Sequence, residues 1–409
     1  MPTHSLPEKP DLRHLKDQAK DLLKRGEAKS LTEAQLQIAR SYGFASWPKL
    51  KAHIDSLTKI GELKQAIDRN DFERVKTLMI KNPELHRAPL GYGKNGPLTW
   101  VAECRIPWEP PGPVRLAMAQ WMIDNGSDVH QGGDGPLMRA ALNADRIAML
   151  ELLVRNGADV NAEWSGYFPI IFAPCEAVDP VPLQWLLDHG ANPNCAKPGR
   201  KYPDHALDYV IQSYSRTPEL AECIEILLGT GAVTRYNIPA VFDLLRGRLD
   251  LLAEHLDKDP ALVNRQFREL DFGSTAMRRM LLRGATLLHV AAEYCNVEAA
   301  RLLLDRGADV NARAMVDDAG VGGQTPLFHA ASQFGDGGID VVRLLLDRGA
   351  DLSVRVKLPG LHDLPDDFVE ATALEYAGRF PGEDESHGGR LANRKTIALL
   401  RERAATLLS

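Results

Sequence analysis

Residues Gly284–Asn311 read GATLLHVAAEYCNVEAARLLLDRGADVN, and this stretch decides how the rest of the chain is read. Leu287, Leu288, Val290, Ala291 and Ala292 form one short apolar run. Val297, Ala300, Leu302, Leu303 and Leu304 form a second, at the three-and-four spacing that gathers side chains on one helix face. Gly307 then supplies the left-handed residue that ends a helix cheaply. A helix pair this small cannot bury its apolar face alone, so it is expected to stack on copies of itself.

The copies are present. A Gly-Ala-Asp type exit recurs at Gly126, Gly157, Gly190, Gly231, Gly307 and Gly349, at intervals of 31 to 42 residues with one of 76, which has room for a degenerate repeat. The unit resembles an ankyrin repeat. Thr286–Ala292 matches the family's T-P-L-H-x-A-A opening, with Leu287 in place of the usual proline, and Gly307–Asn311 matches its G-A-D-V-N close. The resemblance implies an all-α ankyrin-repeat solenoid of about nine helix-turn-helix repeats over residues 60–409, behind an N-terminal helical cap over residues 1–59.

Within the cap, Asp11–Lys24 is expected to be an amphipathic helix with Leu12, Leu15, Ala19, Leu22 and Leu23 on one side. A second helix is expected from Leu31 to Arg40, with Leu36 and Ile38 apolar, followed by a cluster of Tyr42, Phe44, Trp47 and Leu50. The segment resembles the short helical leader of many bacterial ankyrin arrays. It also loosely resembles a helix-turn-helix and carries an excess of Lys and Arg, but a cap that shields the first repeat is the favoured reading.

The net charge of −6 and pI near 6.1 give no bulk reason to expect nucleic acid or an anionic membrane as partner. No apolar run approaches the roughly 20 residues of a membrane span, and the first residues lack the apolar core of a secretory signal. Five cysteines, odd in number and without metal-type spacing, point to a reducing cytoplasm. No cofactor and no metal are expected.

In ankyrin arrays, two positions after the Ala-Ala of each first helix usually line a concave binding groove. Carried across by motif, the groove of this chain comprises Trp100, Glu103, Cys104, Asn143, Glu176, Gln212, Glu293, Tyr294, Gln333 and Arg379. Its carboxylates, amides and aromatics suit a protein or peptide partner, or a basic or polar ligand. The insertions are the second place for function, since long loops in a tight array are usually functional or disordered. Arg265–Gly284 is rich in arginine and is expected to serve either as an anion site or as a complement to the acidic groove. Arg313–Gln324 holds Asp317 and Asp318, and Arg355–Ala371 holds His362, Asp363 and Glu370. Together with His329 these form a candidate loop site, expected to converge over Glu293, Tyr294, Gln333 and Arg379.

Sequence signatures of catalysis are missing. Gly320–Thr325 and Gly91–Gly96 lack the context of a phosphate loop, and H-E-x-x-H, G-x-S-x-G and paired C-x-x-C do not occur. His289 is expected to hold the helix turn, whereas His329, displaced by one residue, is free to face elsewhere. The function expected is therefore a protein- or peptide-binding scaffold. The alternative is an enzyme or small-polar-ligand binder with an acidic site under the long C-terminal loops.

Overall fold

Asn311 shows how one repeat is fastened to the next. Its side-chain Nδ2 donates to the Gly349 carbonyl (3.1 Å) and its Oδ1 accepts from the Asp351 N–H (2.8 Å). Asn264 grips Gly307 and Asp309 in the same way, and Asn194 grips Gly231 and Val233. These three asparagines thus satisfy backbone groups in the following turn, groups that would otherwise need water. Each turn is itself regular: Gly307 has φ +89°, and the Ala308 N–H reaches back to the Leu303 carbonyl (2.9 Å). This is the helix-terminating geometry that only glycine adopts without strain.

The computed structural model describes residues 6–7, 10–56, 59–89, 95–103, 112–195, 205–213, 216–236, 238–274, 278–360, 367–379 and 392–406. From Lys59 onward the described helices form nine consecutive pairs, from Lys59–Asp68 with Phe72–Lys81 to Ala373–Arg379 with Arg394–Thr406. The architecture is the all-α repeat solenoid read from the sequence. Its contacts divide the chain into two units, residues 1–141 with 145–166, and residues 142–144 with 167–409.

The first unit contains the N-terminal helices Leu12–Lys24, Leu31–Ser41 and Trp47–Ser56, followed by three helix pairs. Leu15, Ala39, Leu50 and Ile54 form a core among these helices, with Tyr42, Phe44 and Trp47 packed against it. Ser30 starts the second helix by accepting from the Glu33 N–H, while the Glu33 carboxylate accepts from the Lys29 N–H. One expectation shifts here. Leu23 is 38 % exposed, because it lies a helical step of 100° from Leu22. In the second helix it is Ala34 and Ala39 that are fully buried, with Leu36 and Ile38 only half-buried.

The second unit stacks six helix pairs. Leu287, Leu288, Val290, Ala291, Ala292 and Leu303 are completely buried in it, and each leucine contributes roughly 1.5–3 kcal/mol by leaving water. The unit is not purely helical. Val356–Pro359 pairs antiparallel with Phe368–Ala371, Val356 opposite Ala371 and Pro359 opposite Phe368. The Arg355–Ala371 insertion is therefore built on a β-ribbon, and Val356 and Leu358 alternate inward as a strand requires. The neighbouring insertion also folds back on itself, bridging Val316 to Gly322 and Val321 to Lys357.

Candidate functional site

Glu293 ends the helix Leu287–Glu293 of the second unit and is wholly buried, although its motif position suggested an open groove. Burial opposes a charged carboxylate, so the structure must supply donors, and it supplies three. Arg278 Nη2 donates to Glu293 Oε2 (2.8 Å) and Oε1 (3.1 Å). Arg216 Nη2 donates to Oε1 (3.1 Å), and His329 Nδ1–H donates to Oε2 (2.7 Å). Burial works to raise the carboxyl's pKa, but Arg278, the His329 hydrogen bond and Arg216 outweigh it and hold it down at about 2.

Each partner arrives by a different route. His329 lies on Pro326–Ala331, the first helix of the next repeat, stacked on the helix that ends in Glu293. Arg278 belongs to an extended stretch in which Arg278, Met280 and Leu282 are buried while Leu281 and Arg283 are exposed. That period-two alternation turns a surface-type residue into the interior. Arg216 follows the helix Ala206–Gln212 and lies over the Tyr294 ring, 4.5 Å from its centre. The Tyr294 hydroxyl donates to the Ile211 carbonyl (2.6 Å), tying the same two segments again.

The two histidines take opposite tautomers. His289 accepts the Thr286 N–H at Nδ1 (3.1 Å) and donates from Nε2 to the Gln324 carbonyl (3.0 Å). It holds the helix turn as its motif position implies. Burial, followed by the nearby His329, lowers its pKa to about 3, and burial lowers that of His329 as well. Both rings are therefore neutral near pH 7. His329, expected to face elsewhere, is instead fully buried against Glu293.

The remaining groove positions are largely engaged with neighbours. Glu103 is buried with Arg139 at 3.6 Å, and Trp100 donates from Nε1 to Asp68 (2.9 Å) while Lys64 sits 4.4 Å from its ring centre. Glu176 accepts from the Tyr209 hydroxyl (3.2 Å), and Gln212 donates to the Tyr236 hydroxyl, which donates to Asp271 (2.6 Å). Gln333 is buried and donates to the His329 carbonyl (2.7 Å); Asn143 is half-buried. Arg379 is exposed and pairs with Asp367 (2.6 Å). Glu103, Glu293 and Gln333 are thus interior residues and not part of an open groove, because stacking the first helices against each other covers them.

Of the loop residues, Asp317 and Asp318 are exposed and line a cavity of about 380 Å³, walled also by Arg279, Arg283, Met315 and Leu358. Glu370 is exposed on the β-ribbon. Cys104, His362 and Asp363 lie outside the described residues. The expected convergence is therefore divided: Glu293 and His329 lie in a buried cluster with Arg278 and Arg216, and Asp317 and Asp318 line the cavity. Among the described residues, no group of His, Cys, Asp or Glu is placed to hold a metal ion, and no helix is long and apolar enough to cross a membrane.

Motif transfer did not name Arg216 and Arg278 as partners of Glu293. For Arg278 the local signals are the arginine-rich stretch, expected as a complement to acidic groove residues, and the inward alternation of Arg278, Met280 and Leu282; the approach of Arg216 has none.

Two stretches match known families. Residues 249–356 match a model described as ankyrin repeats in three copies, and residues 132–164 match one described as an ankyrin repeat. No curated protein matches the chain.

Proposed function

The chain is an ankyrin-repeat protein, and we propose that it is a protein-binding scaffold whose partner contact lies on the insertions of its second unit. Ankyrin repeats are generally protein–protein interaction scaffolds. The observation that carries the location is the placement of exposed apolar side chains. Leu281 (37 % exposed) and Val316 (54 %) line the cavity, and Phe368 (45 %) lies opposite Pro359, which lines it too. Lys357, Arg283 and Asp318 supply charge around them. An apolar centre with a polar rim is the anatomy of an interface that anchors through a few large side chains. The inner-helix carboxylates suit that role less well, since Glu293 and Glu103 are covered and Glu176 already accepts from Tyr209. Proton transfer by Glu293 is also poorly served: a carboxyl held near pKa 2 stays ionised at neutral pH, and its oxygens are taken by three donors.

The test is affinity purification of the tagged full chain with mass spectrometry, repeated for Val316→Asp and Phe368→Asp. Val181→Asp, at an exposed apolar position elsewhere in the second unit, serves as control. A partner retained by the control and lost from both insertion variants supports the reading. Partners retained equally by all of them would remove it.

A further inference from the structure

We infer that the cavity between the 278–283 stretch, the 313–324 insertion and the β-ribbon is a binding site for a small zwitterion with apolar side chains, about the size of a dipeptide. This goes beyond the scaffold reading, with which it shares Arg283 and Asp318 but not Gln324 or the apolar walls.

The first is a buried acceptor on the cavity wall. Gln324 is 3 % exposed and lines the cavity. Its Nε2 donates to the Leu281 carbonyl (3.0 Å) and approaches His329 Nε2 (3.5 Å), which fixes the orientation of the amide. Its Oε1 is buried and finds no hydrogen-bond partner among the described residues. An acceptor left in that state costs about 1–3 kcal/mol, a cost that a small shift of the wall towards a ligand N–H would relieve.

The second is charge of both signs on one cavity. Arg283 is exposed on its wall and offers a fork for a carboxylate. Asp317 is committed to its own turn, with Oδ1 accepting from the Ala319 N–H (2.9 Å) and the Val321 N–H (2.8 Å). Asp318, beside it, is the carboxylate left to meet an ammonium group. A ligand with one charge would answer only half of this lining. A zwitterion answers both halves, and its N–H groups suit Gln324.

The third is size and surface. A volume of about 380 Å³ lies near the lower end of the roughly 300–1,000 Å³ typical of small-molecule sites. Met280, Met315 and Leu358 give it apolar walls, and methionine adapts to side chains of differing shape. The walls are also fixed in place. The Gly322 N–H donates to the Lys357 carbonyl (2.9 Å) and the Gly323 N–H to the Met315 carbonyl (3.2 Å), so the insertion is held against the ribbon without a ligand.

Isothermal titration calorimetry of the full chain tests the site, with leucyl-leucine as probe and two comparison compounds. Glycyl-glycine keeps both charges without the side chains, and N-acetyl-leucyl-leucinamide keeps the side chains without the charges. Leucyl-leucine is expected to bind saturably at one site, with each comparison compound about tenfold weaker or worse. Arg283→Ala and Asp318→Ala, both at exposed positions, are each expected to weaken leucyl-leucine about tenfold. Val321→Trp, which fills the cavity from its rim, is expected to abolish binding, and Phe368→Asp to leave it unchanged. The inference is overturned if the folded chain shows no saturable heat with leucyl-leucine up to the order of 10 mM, a range that covers affinities weaker than 1 mM. It is overturned equally if glycyl-glycine binds as well, or if the cavity variants bind like the parent. Loss of a protein partner from Phe368→Asp with dipeptide binding intact would separate the two functions.

Discussion

Glu293 and His329 lie 36 positions apart in sequence on the first helices of successive repeats, and in the fold they share a 2.7 Å hydrogen bond with both side chains wholly buried. The carboxylate is the centre of a charged core. Glu293→Gln keeps its shape but leaves Arg278 and Arg216 buried without their counter-charge. The expected cost is about 3–5 kcal/mol of unfolding free energy, read as a lower midpoint in urea denaturation. A loss below about 1 kcal/mol would mean that the arginines are compensated elsewhere.

Arg216 and Glu293 are 77 positions apart, in the fifth and seventh helix pairs. Arg216→Ala and Glu293→Gln, made singly and together, should be non-additive by about 0.5–3 kcal/mol, as expected for groups in direct contact. Additive losses would show that the contact carries no coupling.

Stability should fall on mild acidification. His289 and His329 have folded-state pKa values below the ordinary 6.5, so below that pH the unfolded chain binds protons that the folded chain excludes. Their contribution is fully present above about pH 6.5 and declines as pH falls, for His289 down to about 3, at up to about 1.4 kcal/mol per pH unit for each ring. Glu293, lowered from 4.5 to about 2, adds a decline of the same sign between those values. Urea midpoints at pH 7.5, 5.5 and 4 should decrease in that order, and less steeply in His329→Asn. A flat profile would contradict the burial of neutral imidazoles.

Gly322 has φ +119°, and a Cβ there would run into the Met315 carbonyl oxygen. Gly322→Ala should open the 313–324 insertion at a cost of about 1–3 kcal/mol, with faster amide exchange at Val321 and Gly322 and little change in the helices. Unchanged exchange would show that the insertion tolerates a side chain there.

Much of the fold was legible because it is local and repeated. Leu303, Gly307 and Ala308 carry their own helix-ending geometry, and Asn311 sits where the next turn's backbone groups arrive. The β-ribbon is not legible in the sequence, because Val356–Pro359 is short and its partner strand begins nine positions later. Glu293 and His329, named from the motif and a candidate loop site, are buried against each other and not open to a groove. Motif position gives the direction of a side chain and not the depth of the layer above it.

The sequence by itself determined the helix pairs, their glycine stops and the need to stack, since each follows from contacts within about 35 residues. Tertiary structure alone decided that Arg216, Arg278 and His329 would meet on one carboxylate, and that Gln324 would line a cavity while its amide oxygen is buried and unmet. Such meetings depend on how far one repeat is rotated and shifted on the next. That displacement is the sum of many packing contacts and is written in no single stretch of residues.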